Sequence, residues 1–97
     1  MEILAWMDIL TNDNHTVLYV GATNNLPTRH WEHKTKQNPK CFTAKYNVHK
    51  LVYFEEYDEV DAAFVREKIV KRKTRAWKID LINSKNPQWL DLSKLFQ

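Results

Sequence analysis

The alternation of apolar and polar positions predicts three strands, two of them at the start of the chain. Residues 3–10 are mostly apolar, and residues 16–20 are rich in β-branched side chains. Residues 11–15, between these segments, have the composition of a turn, so the two strands form an antiparallel β-hairpin. Gly21, the only glycine of the chain, is expected to end the second strand. Residues 49–55 have an apolar centre and predict the third strand.

Helical spacing of apolar residues predicts the other elements. Helices are expected over residues 26–36, 58–73 and 75–83. Thr74 can cap the last of them, and the Asn86-Pro87 pair is expected to stop it. The element order β-β-α-β-α-α predicts an α+β fold, in which helices pack on a three-stranded sheet with an N-terminal antiparallel hairpin. The sequence shows no long linker and no internal repeat, so residues 1–97 are expected to form a single domain.

The predicted helix 58–73 carries a carboxylate in its apolar stripe. The stripe is formed by Val60, Ala63, Phe64 and Val70. Glu67 lies within it, one turn after Ala63 and Phe64. A carboxylate on an apolar face is costly to bury unless it is paired or holds a cation. Two interpretations stay open from the pattern alone: Glu67 lies at the edge of the stripe or pairs with a core arginine, or it is a ligand for a cation.

The charge of the chain is distributed in blocks, although the net charge is only +3. Residues 34–50 contain five lysines and no acid, and residues 62–78 contain seven basic residues against Glu67 alone. An acidic block over residues 51–61 separates them. Partly basic surfaces favour a polyanionic partner such as nucleic acid, and ordinary solvated faces are the alternative. Cys41 is the single cysteine, and no secretory signal or membrane-spanning run is visible, so the expected location is the cytoplasm.

The residues with candidate chemistry are concentrated between Leu18 and His33. In this stretch a strand, a turn and the start of the first predicted helix follow one another. Arg29 and His33 are four residues apart and therefore share one face of that helix. With Tyr19 in the strand, a phenol, a guanidinium and an imidazole can converge at one strand–turn–helix corner. This combination is suited to handling a phosphate.

These residues and their spacing resemble the GIY-YIG nuclease superfamily. The motif is carried by Tyr19-Val20-Gly21, by Arg29 ten positions after Tyr19, by His33 and by Arg66-Glu67 in the long helix. Small single-domain bacterial members often carry segments similar to Ile9-Leu10-Thr11-Asn12 and Ala76-Trp77-Lys78. The resemblance covers most of the chain. It implies an endonuclease domain that cuts DNA phosphodiester bonds with one divalent metal ion, Mg²⁺ or Mn²⁺, and a role in repair or recombination.

The resemblance also implies a role for each matching residue. Tyr19 orients or deprotonates the attacking water, with His33 as a proton partner, and Arg29 clamps the non-bridging oxygens. Glu67 holds the metal ion, which gives the acidic side chain in the apolar stripe a function. Asp8 occupies the position of the first motif tyrosine, eleven residues before Tyr19, and has no phenol. We therefore expect Tyr19, Arg29 and Glu67 to share one solvent-reachable pocket.

Two other functions are compatible with the sequence. The first is a nucleic-acid-binding module that has kept the fold and lost catalysis, because Asp8 replaces the first motif tyrosine. The second is a protein-interaction domain whose basic surface has no role toward nucleic acid. The candidate phosphate contacts are the basic residues of the predicted loop and helix junction, Lys36, Lys40, Lys45, Lys71, Arg72, Lys73 and Arg75. With no appended reading domain in the sequence, the expected partner is DNA, bound without strong sequence specificity.

Overall fold

A three-stranded antiparallel sheet forms the centre of the protein. The computed structural model describes residues 2–26 and 48–96. Its strands are β1 (Ala5–Thr11), β2 (Leu18–Thr23) and β3 (Lys50–Tyr57), in the spatial order β2-β1-β3. β1 pairs antiparallel with both neighbours, so β2 and β3 form the two edges of the sheet. The predicted α+β class and the antiparallel N-terminal hairpin are confirmed.

Gly21 does not end the second strand, so this expectation was wrong. β2 continues two residues beyond it, and Gly21 lies opposite Asp8 of β1 in the register of the two strands. Gly21 has no positive φ, so it continues the strand as any other residue would. The hairpin turns near His15, within the predicted turn of residues 11–15, and His15 adopts a φ of 56°. The Asn12 side chain supports this turn by accepting a hydrogen bond from the Thr16 N–H at 2.8 Å.

Two helices follow β3 and pack on one face of the sheet. They are α1 (Val60–Lys71) and α2 (Arg75–Lys85), and a 3₁₀-helix spans Leu92–Phe96. The Thr74 side chain accepts a hydrogen bond from the Trp77 N–H at 3.1 Å, which confirms the predicted cap. Asn86 forms the C-terminal cap of α2, at the place where the Asn86-Pro87 pair was expected to stop the helix.

The core lies on both faces of the sheet, because side chains alternate between the faces along each strand. One face, which we call the α1 face, carries the larger cluster, to which α1 contributes Val70 and α2 contributes Ile82. The strand residues of this cluster are Met7, Ile9, Val20, Val52 and Tyr53. The opposite face carries a smaller cluster formed by Leu10, Leu26, Val48 and Leu51. Each face of the sheet is therefore covered by its own hydrophobic cluster.

The inward side of α1 is narrower than the sequence pattern predicted. Its buried residues are Ala63, Glu67 and Val70, while Val60 and Phe64 are exposed. The prediction that Val60 and Phe64 belong to the buried stripe is therefore wrong. These two residues form a row beside the line along which the helix touches the sheet, and contact with a single layer does not cover that row.

Asn86 joins the end of α2 to the edge of the sheet. It is buried, and its amide nitrogen donates to the carbonyls of Val52 and Leu90, both at 2.9 Å. Its amide oxygen accepts from the Leu90 N–H at 3.0 Å. Asp91 adds a second link by accepting from the Leu51 N–H at 3.3 Å. The C-terminal segment therefore occupies this end of β3.

A hydrogen-bonded carboxylate lies where β3 meets α1. Glu55 accepts from the hydroxyls of Tyr53 and Tyr57, at 2.5 and 2.6 Å. Arg66 of α1 donates to both of its oxygens, at 3.1 and 3.3 Å. Burial alone would raise the pKa of the Glu55 carboxyl, but hydrogen bonds from Tyr53, Tyr57 and Arg66 outweigh burial and lower it. Burial and the bond to Glu55 raise the pKa of the Tyr57 phenol to about 12.

We expect Glu55 to contribute to the loss of stability in acid. Because its pKa is lowered on folding, its stabilising contribution is present above the ordinary value of 4.5 and is lost as the pH falls through the folded value. Glu55→Gln should lower the free energy of unfolding at neutral pH by about 1–3 kcal/mol. It should also flatten the decline in stability below about pH 5, measured by urea unfolding across the acid range. Glu56→Gln, at the exposed neighbouring position, should keep the wild-type decline.

Two predicted segments fall on residues that the structure does not describe. These are the helix over residues 26–36, of which only Leu26 is described, and the loop over residues 37–47. In the two described ranges, none of the helices combines the length and the apolar composition that crossing a membrane requires. The cytoplasmic location stays a prediction.

Candidate active site

Two of the predicted site residues lie on the face of the sheet opposite to α1. Tyr19 of β2 is partly buried and packs against the smaller cluster of that face. Asp8 of β1 lies on the same face, because it alternates with Met7 and Ile9 of the α1 face. Asp8 is completely buried, with 0% of its surface exposed. Its carboxylate therefore does not face solvent.

Glu67 lies on α1 at the margin of the core. It is 8% exposed, and its Oε1 lies 2.5 Å from the Nζ of Lys71, one turn further along the helix. The sequence left pairing with a core arginine open, but the partner is a lysine. Arg66, the arginine of α1, is paired with Glu55 instead. A positive charge therefore lies directly on the carboxylate that the family resemblance assigns to a metal ion.

Tyr19 and Glu67 belong to elements on different faces of the sheet. Tyr19 packs on the face opposite to α1, whereas the buried side of α1, which includes Glu67 and Val70, faces the other way. β2 is an edge strand of the sheet that the described residues form. Arg29 and His33 lie outside the described residues. The described residues do not bring Tyr19 and Glu67 together on one face, and a pocket shared by Tyr19, Arg29 and Glu67 stays a prediction.

A cavity of about 310 Å³ lies elsewhere, at the outer edge of β3. It is lined by residues of β3, by Lys85 of α2 and by Leu92 and Leu95 of the 3₁₀-helix. Neither Tyr19 nor Glu67 contributes to it. This cavity is therefore separate from the candidate site.

The basic residues at the junction of α1 and α2 differ in the contacts that their side chains make. Arg75 donates from Nη2 to the backbone carbonyl of His15 at 2.8 Å. The Nζ of Lys73 lies 5.4 Å from the centre of the Trp77 ring, at cation–π distance. Arg72 is exposed and has no side-chain partner within residues 2–26 and 48–96. The other predicted DNA contacts, Lys36, Lys40 and Lys45, lie outside the described residues.

The sequence analysis did not predict the ion pair between Lys71 and Glu67, and it interpreted Lys71 as a contact to DNA phosphates. A signal was present, because residues four apart on a helix are neighbours. A glutamate that precedes a lysine at this spacing is also the favourable order. The ion pair occupies Lys71 in the free protein. Its role toward DNA therefore depends on what else binds Glu67.

Glu67 is the one carboxylate that the described residues offer to the predicted metal site. Among them, no group of three or more histidine, cysteine, aspartate and glutamate side chains is arranged to hold an ion. Hard cations such as Mg²⁺ are held by one or two carboxylates and keep several waters. The ammonium on the Oε1 of Glu67 shows that a cation is accommodated there. Within residues 2–26 and 48–96, the side chains therefore fit a hydrated divalent ion and supply no set of four ligands for zinc.

Comparison with known proteins places these residues in a family. The sequence profile of the GIY-YIG catalytic domain matches residues 6–80, a range that includes Asp8, Tyr19 and Glu67. A UPF0213 protein of Clostridium perfringens is 41% identical over 69 residues, which cover 71% of this chain and 73% of that protein. UvrABC system protein C of Methanococcus maripaludis is 28% identical over 88 residues, which cover 89% of this chain but 17% of that protein.

A solved structure has the same fold. The solution NMR structure of a UPF0213 protein of Bacillus halodurans superimposes with a TM-score of 0.57 and 22% sequence identity. The superposition covers 94% of this chain and 95% of that chain. At this identity the likeness concerns the fold alone. The profile match and the identity with the Clostridium protein show that this chain belongs to the GIY-YIG family and carries its nuclease-type catalytic domain.

Proposed function

We propose that this protein is a metal-dependent DNA endonuclease in which Glu67 holds a Mg²⁺ or Mn²⁺ ion. The observation that carries the proposal is the nearly buried carboxylate of Glu67, with a cation on one of its oxygens. An acidic residue in this position costs stability unless a positive charge accompanies it. Lys71 supplies this charge in the free protein, and a bound divalent ion would supply it in the active enzyme.

Each candidate residue has a separate task in the hydrolysis of a phosphodiester bond. A divalent ion, when bound, supplies Lewis-acid polarisation of a phosphoryl oxygen. Glu67 fixes the position of that ion. Arg29 clamps the non-bridging oxygens with its planar set of N–H donors, and Tyr19 orients the attacking water or takes its proton, with His33 as proton partner.

Electrostatic attraction of DNA is assigned to the basic residues of the chain. Arg72 and Lys73 are exposed just beyond the C-terminal end of α1, where they can meet phosphates without reading bases. The predicted loop adds Lys36, Lys40 and Lys45. We therefore expect binding that weakens with salt and shows little sequence preference. A repair role is in keeping with the similarity to UvrABC system protein C.

A second candidate function is nucleic-acid binding without cleavage, and the state of Asp8 favours it. The residue at the position of the first motif tyrosine is a completely buried aspartate. Its side chain is shorter than tyrosine and offers no phenol to a substrate. If that phenol is essential for the reaction, the fold binds DNA and does not cut it.

Cleavage assays with linear and branched DNA distinguish the two functions. We expect the protein to cut DNA with Mg²⁺ or Mn²⁺ and to stop when EDTA is added. Tyr19→Phe, which removes only the hydroxyl, should slow cleavage by about 10²-fold while DNA affinity in a mobility-shift assay is unchanged. Salt-sensitive binding without cleavage by any metal would overturn the endonuclease and support the binding module. Absence of DNA binding would instead indicate the protein-interaction domain.

Replacement of Asp8 tests whether the missing phenol limits the rate. Gly21 lies directly opposite Asp8, so a ring at position 8 meets no side chain from its partner in β2. We expect Asp8→Tyr to raise the rate of metal-dependent cleavage by about tenfold. Asp8→Phe, which supplies the ring without the hydroxyl, should give no gain. If Asp8→Tyr is folded by circular dichroism and cuts no faster than Asp8→Phe, the phenol is not the limiting group.

A further inference from the structure

The ion pair between Lys71 and Glu67 occupies the oxygen that the proposed function assigns to a metal ion. The Nζ of Lys71 lies 2.5 Å from Oε1 of Glu67. The side chain of Lys71 is 54% exposed, whereas that of Glu67 is 10% exposed. The lysine is therefore the solvent-exposed partner of the pair, and an ion that binds this oxygen has to displace the ammonium from it.

An ammonium and a divalent ion compete for this carboxylate. Two positive charges a few ångströms apart repel each other, most strongly where water is partly excluded. The ammonium of lysine is carried on a flexible four-carbon stem, and more than half of this side chain is in water. Lys71 can therefore move away from Glu67 by side-chain rotation, without a change in α1.

We propose that Lys71 is an exchangeable internal cation, which neutralises Glu67 in the free protein and turns to the substrate phosphate when a divalent ion takes its place. The inference rests on the proposed function, since it deepens the role of the same site. The helix keeps Lys71 one turn from Glu67, so the released ammonium stays beside a phosphate held at that carboxylate. Lys71 therefore pairs with Glu67 in the free protein and contacts a substrate phosphate in the complex.

Exchange at Glu67 links the binding of metal and DNA. In the free protein, an incoming ion must break the ion pair, so its affinity is lowered by the strength of that pair. With DNA present, the displaced ammonium gains a phosphate, which offsets the loss of Glu67. Metal and DNA should therefore each strengthen the binding of the other, as reciprocal linkage requires.

The affinity for Mn²⁺ without DNA tests the proposal. It is measured by electron paramagnetic resonance on the full chain. Lys71→Met keeps the unbranched apolar stem and removes the charge. We expect Mn²⁺ to bind about two- to fivefold more tightly to Lys71→Met than to the wild type, because the competitor is gone. DNA affinity in the presence of the metal should fall in the same variant, since one phosphate contact is lost.

Lys68→Met is the matched control, because Lys68 is an exposed lysine of the same helix with no side-chain partner in the described part of the chain. Its Mn²⁺ affinity should equal that of the wild type. If Lys71→Met binds Mn²⁺ no more tightly than the wild type, and Glu67→Gln abolishes that binding, the exchange is overturned and the proposed function stands. If Mn²⁺ binds neither the wild type nor Lys71→Met, both the exchange and the metal-dependent function are overturned.

Discussion

Glu67→Gln is expected to abolish metal-dependent cleavage while the protein stays folded. The amide keeps the shape of the side chain but has no charge, so it neither holds a divalent ion nor pairs with Lys71. A bound metal ion contributes several kcal/mol to transition-state stabilisation, so its loss should lower the rate by at least about 10²–10³-fold. The initial rate of plasmid nicking at saturating Mg²⁺ measures this effect.

Glu59→Gln is the control for charge, since Glu59 is an exposed carboxylate that precedes α1 and makes no side-chain capping bond. It should cut at the wild-type rate. The free energy of unfolding of Glu67→Gln should change by less than about 1 kcal/mol, because the ion pair that it loses involves a largely exposed lysine. Wild-type cleavage by Glu67→Gln would mean that the metal is held somewhere other than α1.

Asn86→Ala is expected to lower the free energy of unfolding by about 3 kcal/mol. The substitution removes the partner of the buried Val52 carbonyl and both side-chain links to the backbone of Leu90. A buried polar group that is left unsatisfied costs about 1–3 kcal/mol, and the partly buried groups of Leu90 recover some of their loss from water. Urea unfolding followed by circular dichroism measures the difference.

Asn83→Ala is a suitable comparison, because it removes an amide from the same helix in an exposed place. The Asn83 side chain accepts from the Trp89 indole N–H at 2.7 Å, where water can replace it. We expect a loss of no more than about 1 kcal/mol. Equal losses in the two variants would show that Asn86 does not act through its buried bonds.

The class and order of the described elements could be predicted because local patterns agree with the packing. The turn before β2 and the Thr74 cap could be predicted because Asn12 and Thr74 form hydrogen bonds with residues only three or four positions away. The end of β2 could not be predicted, because glycine occurs both at strand ends and inside strands. Only pairing of Gly21 with Asp8 across the hairpin decides between these cases. The exposure of Phe64 depends in the same way on where α1 touches the sheet.

Among the site residues, Glu67 was the easiest to recognise from the sequence. It is a charged residue among apolar residues of the same helix, and this pattern is visible without knowledge of the fold. Its partner Lys71 also follows from spacing alone. The position of Tyr19 relative to Glu67 could not be derived, since the strand register decides which face of β2 carries the phenol. Arg29 and His33 lie outside the described residues, and their roles stay predictions.

The outer edge of β3 pairs with no further strand in the described part of the chain, and its charge limits how two copies of this protein can join. Asn86 and Asp91 occupy one end of the strand, which leaves the stretch from Tyr53 to Tyr57 at the border. A second copy that extended the sheet there, antiparallel about a two-fold axis, would be centred on Glu55. Two carboxylates would then stand opposite each other, which is unfavourable. Glu55, which ties β3 to α1, therefore also disfavours a two-fold dimer formed along this edge of the sheet.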